Sequence, residues 1–240
     1  MPVPNQTHVF QSALTQRSAW QICVQLLLRL SPFLPVFILY LATASSNLSI
    51  THDSIALRDD IVTGRLEFHP NYLLFTNFLW LLIAPLEILF TTVQSLQIIQ
   101  AAAGALSLHI FYKLLVDRLS INSIYATGAL LIATFSYGLW YYSIALEVYI
   151  FPLCLLLLSF YILSAERITI TSITAAAVLH SLATLVHQSS ILFSFVIVVC
   201  LLVTTEITVQ ERIRRFGLYV LVCYFGWWRI FDGRRLSGST

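Results

Sequence analysis

The sequence predicts an all-α protein, a polytopic transmembrane helix bundle with about seven crossings and an interfacial helical loop region after the first span. Three observations lead to this prediction. The chain of 240 residues is 58% hydrophobic and only 10% charged, with a mean hydropathy of +0.84. Apolar runs of about 20 residues, the length that a membrane span requires, recur along most of the chain. One polar stretch, residues 47–70, separates the first run from the rest.

The composition excludes several other classes of protein. A soluble domain carries about 25% charged residues, so this chain has too few to cover a surface that faces water. Its net charge of +2 is too small to favour nucleic acid as a partner. Its four cysteines are scattered through apolar runs, which is typical of small buried side chains and predicts neither a disulfide framework nor a zinc site.

The apolar runs define the candidate spans. The first is too long for a cleaved signal peptide, and we interpret it as a retained span. The run over residues 168–205 is too long for one helix, so we expect a tight turn at His187-Gln188-Ser189-Ser190. The candidate segments are residues 24–46, 71–90, 93–112, 121–144, 148–165, 168–187, 188–205 and 216–231.

The basic residues indicate that segment 71–90 lies in the interface or re-enters, without crossing. If the N-terminus is cytoplasmic and this segment does not cross, the later basic loops fall on the cytoplasmic side, as the positive-inside rule expects. The loop 47–70, Glu147 and His187 then share the outer side. Pro85 interrupts the segment and fits this interpretation. The basic residues concerned are Lys113, Arg118, Arg167, Arg212, Arg214 and Arg215.

The outer loop 47–70 holds the first candidate site residues. Asp53 can act as a general base for a hydroxyl or hold a metal ion beside a phosphate, whereas a solvated acid or a helix N-cap is the structural alternative. Asp60 follows seven residues later and would share its helix face. Arg58 and Arg65 can bind a phosphate or form salt bridges with neighbouring acids. His69, before Pro70, can contact a phosphate or an acceptor, or be structural.

Two later positions are expected on the same side of the membrane. Glu147 lies between two long apolar runs, where an acid is costly unless it is solvated or paired. Nearby Trp and Tyr residues place it at headgroup level. It can therefore meet the same substrate as the outer loop, or form a structural ion pair. His187 and Gln188 occupy another outer turn, and their side chains can bind a hydroxylated or phosphorylated ligand or cap the turn.

The order of these motifs resembles the GT-C superfamily of integral-membrane glycosyltransferases, and most closely its protein O-mannosyltransferase-like branch. The similarity extends over roughly residues 30–205, with an acid in the first outer loop and His-Pro sixteen residues later. An aromatic run ending in Glu-Val-Tyr and a later His-Gln turn complete it. The matching residues are Asp53-Ser54, His69-Pro70, Ser136, Trp140, Glu147-Val148-Tyr149 and His187-Gln188.

The resemblance implies transfer of a sugar from a polyprenyl-phosphate donor to an acceptor protein or glycan on the extracytoplasmic side. It implies catalytic roles for Asp53 and Glu147, with a divalent metal as an open question. Arg58, Asp60, Arg65, His69, His187 and Gln188 would bind substrate. The expected location is the lipid bilayer as a multi-pass protein, which means the plasma (inner) membrane if the source is bacterial.

The predicted organisation is a cytoplasmic N-terminal segment at residues 1–21, a transmembrane GT-C-like domain at 22–231 and a polar tail at 232–240. The chain is short for the superfamily and its polar ending is abrupt, so a truncated or inactive member is one expectation. A non-catalytic membrane scaffold or lipid-binding protein is the alternative function. A transporter subunit fits less well, because the spans offer only His109, His180 and a few hydroxyls and amides to line a path.

Overall fold

The computed structural model describes residues 32–46, 52–64, 74–203 and 208–237, and all regular secondary structure within these ranges is helical. This confirms the all-α fold class. The α-helices are α1 Phe33–Ala42, α2 His52–Val62, α3 Phe75–Ile83, α4 Thr92–Lys113, α5 Ser123–Thr134, α6 Tyr137–Ile144, α7 Ile150–Leu163, α8 Ile170–Val186, α9 Ser194–Val203 and α10 Val209–Ser237. A π-helical turn, Leu114–Arg118, continues α4, and a 3-10 helix, Gln188–Phe193, joins α8 to α9.

Local sequence sets where the central helices begin. Thr91 caps α4 in a capping box, in which its hydroxyl accepts from the Gln94 backbone N–H and the Gln94 side chain accepts from the Thr91 N–H. Asn122 caps α5 through the backbone N–H of Ile124, and Thr169 caps α8. Each cap satisfies a backbone donor that a helix N-terminus leaves without an internal partner.

Helix α4 is the centre of the bundle, with α1, α6 and α7 packed around it. Its close approach to α1 and α6 occurs at Gly104, where a Cβ atom would lie 2.6 Å from Ser143 Cβ and 3.1 Å from the Tyr40 ring. The Tyr40 hydroxyl donates to the carbonyl of Thr134 at 2.9 Å, which also ties α1 to α5. A glycine is required here because any side chain would meet the neighbouring helices.

The segment between α1 and α4 returns to the end of the bundle from which it starts. The Gln97 side chain on α4 donates to the carbonyl of Ser45, just after α1, at 2.7 Å. Helix α3 has nine residues, or about 13 Å of length, and cannot traverse the bundle. The expectation that segment 71–90 does not cross the membrane stays a prediction.

Among the described residues, one helix is long and apolar enough to cross a membrane, namely α4 with its π-helical continuation, Thr92–Arg118. The other apolar helices have 10 to 17 residues, whereas a span needs about 20. Run 121–144 is divided at Phe135–Ser136, and run 168–205 is divided at His187, as expected from its sequence. Helix length therefore gives one candidate crossing among the described residues, and it does not support the seven crossings expected from the sequence.

Candidate functional site

A single apolar cluster brings three distant parts of the chain together. Leu57 and Ile61, one turn apart on α2, are buried with Leu146 and Val148, which flank Glu147, and with Val186 at the end of α8. The burial of these five side chains stabilises the junction because apolar surface leaves water. Helix α2, the Glu147 segment and the His187 turn therefore meet at one end of the bundle.

The backbone adds a fourth segment to this end. The N–H of Leu74, at the start of α3, donates to the carbonyl of Leu185 at 3.0 Å, two residues before His187. The start of α3 thus lies beside the His187 turn. Arg65 and His69 lie outside the described residues, so their predicted contacts remain predictions.

Glu147 is the most deeply placed of the predicted site residues whose side chains are described. It is 7% exposed, in the non-helical link between α6 and α7. Its backbone carbonyl accepts from the Gln100 side chain at 3.0 Å, and the same Gln100 nitrogen lies 2.8 Å from the carbonyl of Tyr142. A buried acid beside a polar end of a bundle is the kind of group that functional sites use.

His187 contacts the segment that follows Glu147 through its aromatic side chains. Its ring centroid is 4.9 Å from that of Tyr149, which in turn lies 4.9 Å from Tyr142. The His187 Nδ1 atom is 2.6 Å from the Ser189 hydroxyl. Burial lowers the pKa of the His187 imidazole below its usual value, which favours the neutral ring. Gln188 is exposed at the same turn.

Helix α2 carries the remaining predicted residues that the structure describes. Asp53 lies in its first turn, so the short helix expected after this acid is present, while its side chain is outside the described part. The Arg58 guanidinium forms an ion pair with Asp59 at 2.8 Å, which is the salt-bridge alternative for this arginine. Asp60 is half-buried, next to the buried Ile61.

The donor groups for a metal ion are incomplete in the described part of the chain. No group of three or more His, Cys, Asp or Glu side chains there is arranged to hold one. The side chain of Asp53, which the sequence analysis named as a possible metal ligand, lies outside the described residues.

An apolar cavity of about 530 Å³ lies close to this end, between α1, α3, α4 and α7. Phe78 and Phe151, whose ring centroids are 5.9 Å apart, belong both to its wall and to the cluster beside Glu147. His109 lines it further along α4, and the His109 Nδ1 atom is buried without a hydrogen-bond partner. The size and apolar walls are typical of a site for a largely hydrocarbon ligand. The lining residues are Phe33, Phe78, Leu82, Ile99, Ala102, Ala103, Leu106, His109, Phe151, Cys154 and Leu155.

The opposite end of α4 carries two basic side chains, and both have partners in the described structure. The Lys113 ammonium lies 2.6 Å from Asp117, which also accepts from the Tyr161 hydroxyl at 3.1 Å. The Arg118 guanidinium lies 4.3 Å from the Tyr161 ring centroid and donates to the Tyr161 carbonyl. Gln100 and Arg118 are 18 residues apart, or about 27 Å along a helix.

Sequence reasoning missed Gln100. The signal was present, because a carboxamide within an apolar run is costly to bury unless it is hydrogen-bonded. Its partners could not be named in advance, since Tyr142 and Glu147 lie 42 and 47 residues further along.

Comparison with known proteins found no family model that matches the chain, no matching curated protein and no matching solved structure.

Proposed function

We propose that the protein is a multi-pass membrane protein in which the helices around α4 also traverse the bilayer, for about seven crossings. The distribution of side chains supports this proposal. Large apolar residues face outward on α5, where Ile124 and Ile132 are 76% and 77% exposed, although soluble proteins rarely present such surfaces. Hydroxyl and amide groups are instead buried between helices, as in membrane bundles. The buried polar residues include Ser95, Gln100, Ser107, Thr134, Ser143, Ser159, Ser181 and Thr184.

The spacing of the two polar ends gives further support. The basic end, with Lys113 and Arg118, and the end that holds Glu147 are separated by about 27 Å along α4. The hydrocarbon core of a bilayer is about 30 Å thick. Charged groups at both ends can thus reach headgroups or water while the helices between them remain in lipid.

We further propose that the end carrying Glu147 is the active site of a GT-C-like glycosyltransferase. The enzyme transfers a sugar from a polyprenyl-phosphate donor to an acceptor protein or glycan on the extracytoplasmic side. The observation that carries this proposal is the convergence of α2, the Glu147 segment and the His187 turn on one apolar cluster. These are the segments that the resemblance assigns to a single site.

The reaction requires little of the protein beyond positioning and proton transfer. The acceptor hydroxyl attacks the anomeric carbon, the bond from that carbon to the phosphate oxygen breaks, and polyprenyl phosphate leaves with the electron pair. In this proposal Asp53 accepts the hydroxyl proton, and Glu147 contacts the same substrate. Arg58, Asp60, Arg65, His69, His187 and Gln188 bind the donor headgroup and acceptor. The apolar cavity beside Phe78 and Phe151 holds part of the lipid chain.

The test is sugar transfer by purified protein from polyprenyl-phosphate mannose, glucose and arabinose, comparing wild type with Asp53→Asn and Glu147→Gln. Each substitution keeps the side-chain shape while it removes a proton acceptor. A general base contributes about 100- to 10,000-fold to rate, so Asp53→Asn should lose most of its activity. Glu147→Gln loses a substrate contact of a charged group, which should lower the rate by about 10- to 150-fold. An active wild type with two equally active variants would refute the catalytic assignment.

The cavity also favours a second candidate, a non-catalytic scaffold that binds a lipid. Its apolar wall accounts for lipid binding without any transfer chemistry. The same purified protein distinguishes the two proposals. Binding of polyprenyl phosphate without transfer from any of the three donors would favour the scaffold.

A further inference from the structure

Gln100 joins the central helix to the segment that contains Glu147. Its side chain is 1% exposed, and its Nε2 atom lies 2.8 Å from the Tyr142 carbonyl and 3.0 Å from the Glu147 carbonyl. Helix α6 ends at Ile144, and Ala145 adopts an extended conformation. The last carbonyls of a helix have no internal partner, so the Tyr142 carbonyl needs an external donor.

A carboxamide suits this position because its nitrogen carries two N–H groups and no charge. Both contacts are to carbonyl oxygens, which can only accept, so the side-chain NH₂ must face them. One nitrogen thereby satisfies both ends of the six-residue segment 142–147. Without it, two buried carbonyls would lose their donor and the segment would lose its attachment to α4.

We infer that Gln100 is a positioning residue that fixes the backbone at Glu147 and so holds its carboxylate in place at the polar end of the bundle. The catalytic consequence of this inference rests on the proposed glycosyltransferase function. The structural consequence is that position 147 is restrained, and this consequence does not depend on the proposed function.

The chain provides a matched control on the same helix. Gln97 lies one turn before Gln100, and its Nε2 atom donates to the Ser45 carbonyl at 2.7 Å. This bond also links α4 to a distant backbone carbonyl, but on the segment after α1. Ser45 in turn donates its backbone N–H to the Ile144 carbonyl at 3.3 Å. Replacing Gln97 therefore removes a similar bond while it keeps both Gln100 bonds to the Tyr142 and Glu147 carbonyls and the Ser45–Ile144 bond.

The structural test measures how fast a thiol at position 147 reacts with a water-soluble maleimide in detergent. Glu147→Cys is made in a background in which Cys23, Cys154, Cys200 and Cys223 are replaced by Ala. It is then combined with Gln100→Leu, Gln100→Glu or Gln97→Leu. A protonated Glu would donate one hydrogen bond and Leu none, so the number of donors falls from two to one to zero.

We expect labelling to accelerate about tenfold or more in Gln100→Leu and by an intermediate factor in Gln100→Glu, since two hydrogen bonds together have roughly that effect on an equilibrium. Gln97→Leu should leave the rate near that of the parent. Equal rates in all four proteins, or equal acceleration by Gln97→Leu and Gln100→Leu, would overturn the inference. The Gln100→Glu protein provides the comparison if Gln100→Leu does not fold.

The kinetic test uses the transfer assay with Glu147 present. Gln100→Leu should lower kcat about tenfold or more with little change in KM, because a displaced carboxylate affects the reaction more than donor binding. Gln97→Leu should preserve kcat. Unchanged kcat in an active Gln100→Leu protein would overturn the catalytic part. If wild type transfers no sugar while labelling still depends on Gln100, the proposed function fails and the positioning role stands.

Discussion

The two ends of α4 hold charge in different ways. At the basic end, Lys113, Asp117 and Arg118 are partly exposed and satisfy one another or Tyr161 within a short stretch of structure. At the other end, Glu147 is buried, and the contact that fixes its backbone comes from Gln100, far away in the sequence. Surface pairs of the first kind contribute little free energy. A deeply placed acid is costly and is retained where it has a function, so the comparison favours the Glu147 end as the site.

The largest expected effect tests directly whether the two ends differ in function. In the proposed reaction, Glu147→Gln should reduce the rate of sugar transfer by about 10- to 150-fold, because a hydrogen bond to a charged group contributes about 1.5–3 kcal/mol, whereas Asp117→Asn at the basic end should leave the rate nearly unchanged. Both are single-atom changes to a carboxylate, and initial rates with purified protein measure them. A rate that falls equally in the two variants would mean that the ends do not differ in function.

The next effect concerns the helix contact at Gly104, about one turn along α4 from Gln100. Gly104→Ala should lower the free energy of unfolding by about 1–3 kcal/mol, because the new methyl group overlaps Ser143. Gly128→Ala on α5 is the matched control. No atom lies within 4 Å of a Cβ at this position, so it should raise stability by about 0.4–1 kcal/mol. Thermal unfolding in detergent measures both. Similar shifts of the two midpoints would contradict the close packing of α1, α4 and α6.

A smaller effect should appear with pH at the His187 turn. Burial lowers the pKa of folded His187, so the unfolded chain binds a proton at higher pH than the folded one. The stability from neutral His187 is present above about pH 6.5 and is lost as the pH falls from there through the folded pKa. Unfolding midpoints between about pH 5 and 8 measure this, with His187→Asn as the control. An equally steep loss in His187→Asn would assign the effect to another group.

The smallest effect is expected at the basic end. Lys113→Ala or Asp117→Ala should reduce stability by about 0.3–0.5 kcal/mol, since their ion pair lies at helical i,i+4 spacing and is partly exposed. A double-mutant cycle separates the pair energy from other losses. A coupling several times larger would show that this end is more than a local charge pair. Raising the salt concentration should weaken the coupling.

The positions where helices begin and end show how much of the fold could be predicted from the sequence. The division of run 168–205 was predicted at His187-Gln188-Ser189-Ser190, and α8 ends at Val186 with His187 in an extended conformation. A helix capped by Asp53 was one alternative, and a helix is present there, but it begins at His52 and so includes Asp53 in its first turn. The length of the helices was not, because run 121–144 is apolar throughout yet splits at Phe135–Ser136. Hydropathy counts apolar residues and does not detect where a helix bends or ends.

The site was only partly predictable for a similar reason. Glu147 and His187 were expected to share one side, and the structure brings their segments together through Tyr149. Arg58 could bind a phosphate or pair with a neighbour, and its contact with Asp59 depends on side-chain geometry that the sequence leaves open. Gln100 could be flagged as a buried amide but not paired with Tyr142 and Glu147.

The sequence alone determined the helical class, the apolar surface and the positions of the polar interruptions, because these depend on composition and on periodicity within one segment. The tertiary structure decided which interruptions meet and which acid is held by a buried amide. Those contacts join residues more than 40 positions apart, so they exist only once several helices have packed against α4.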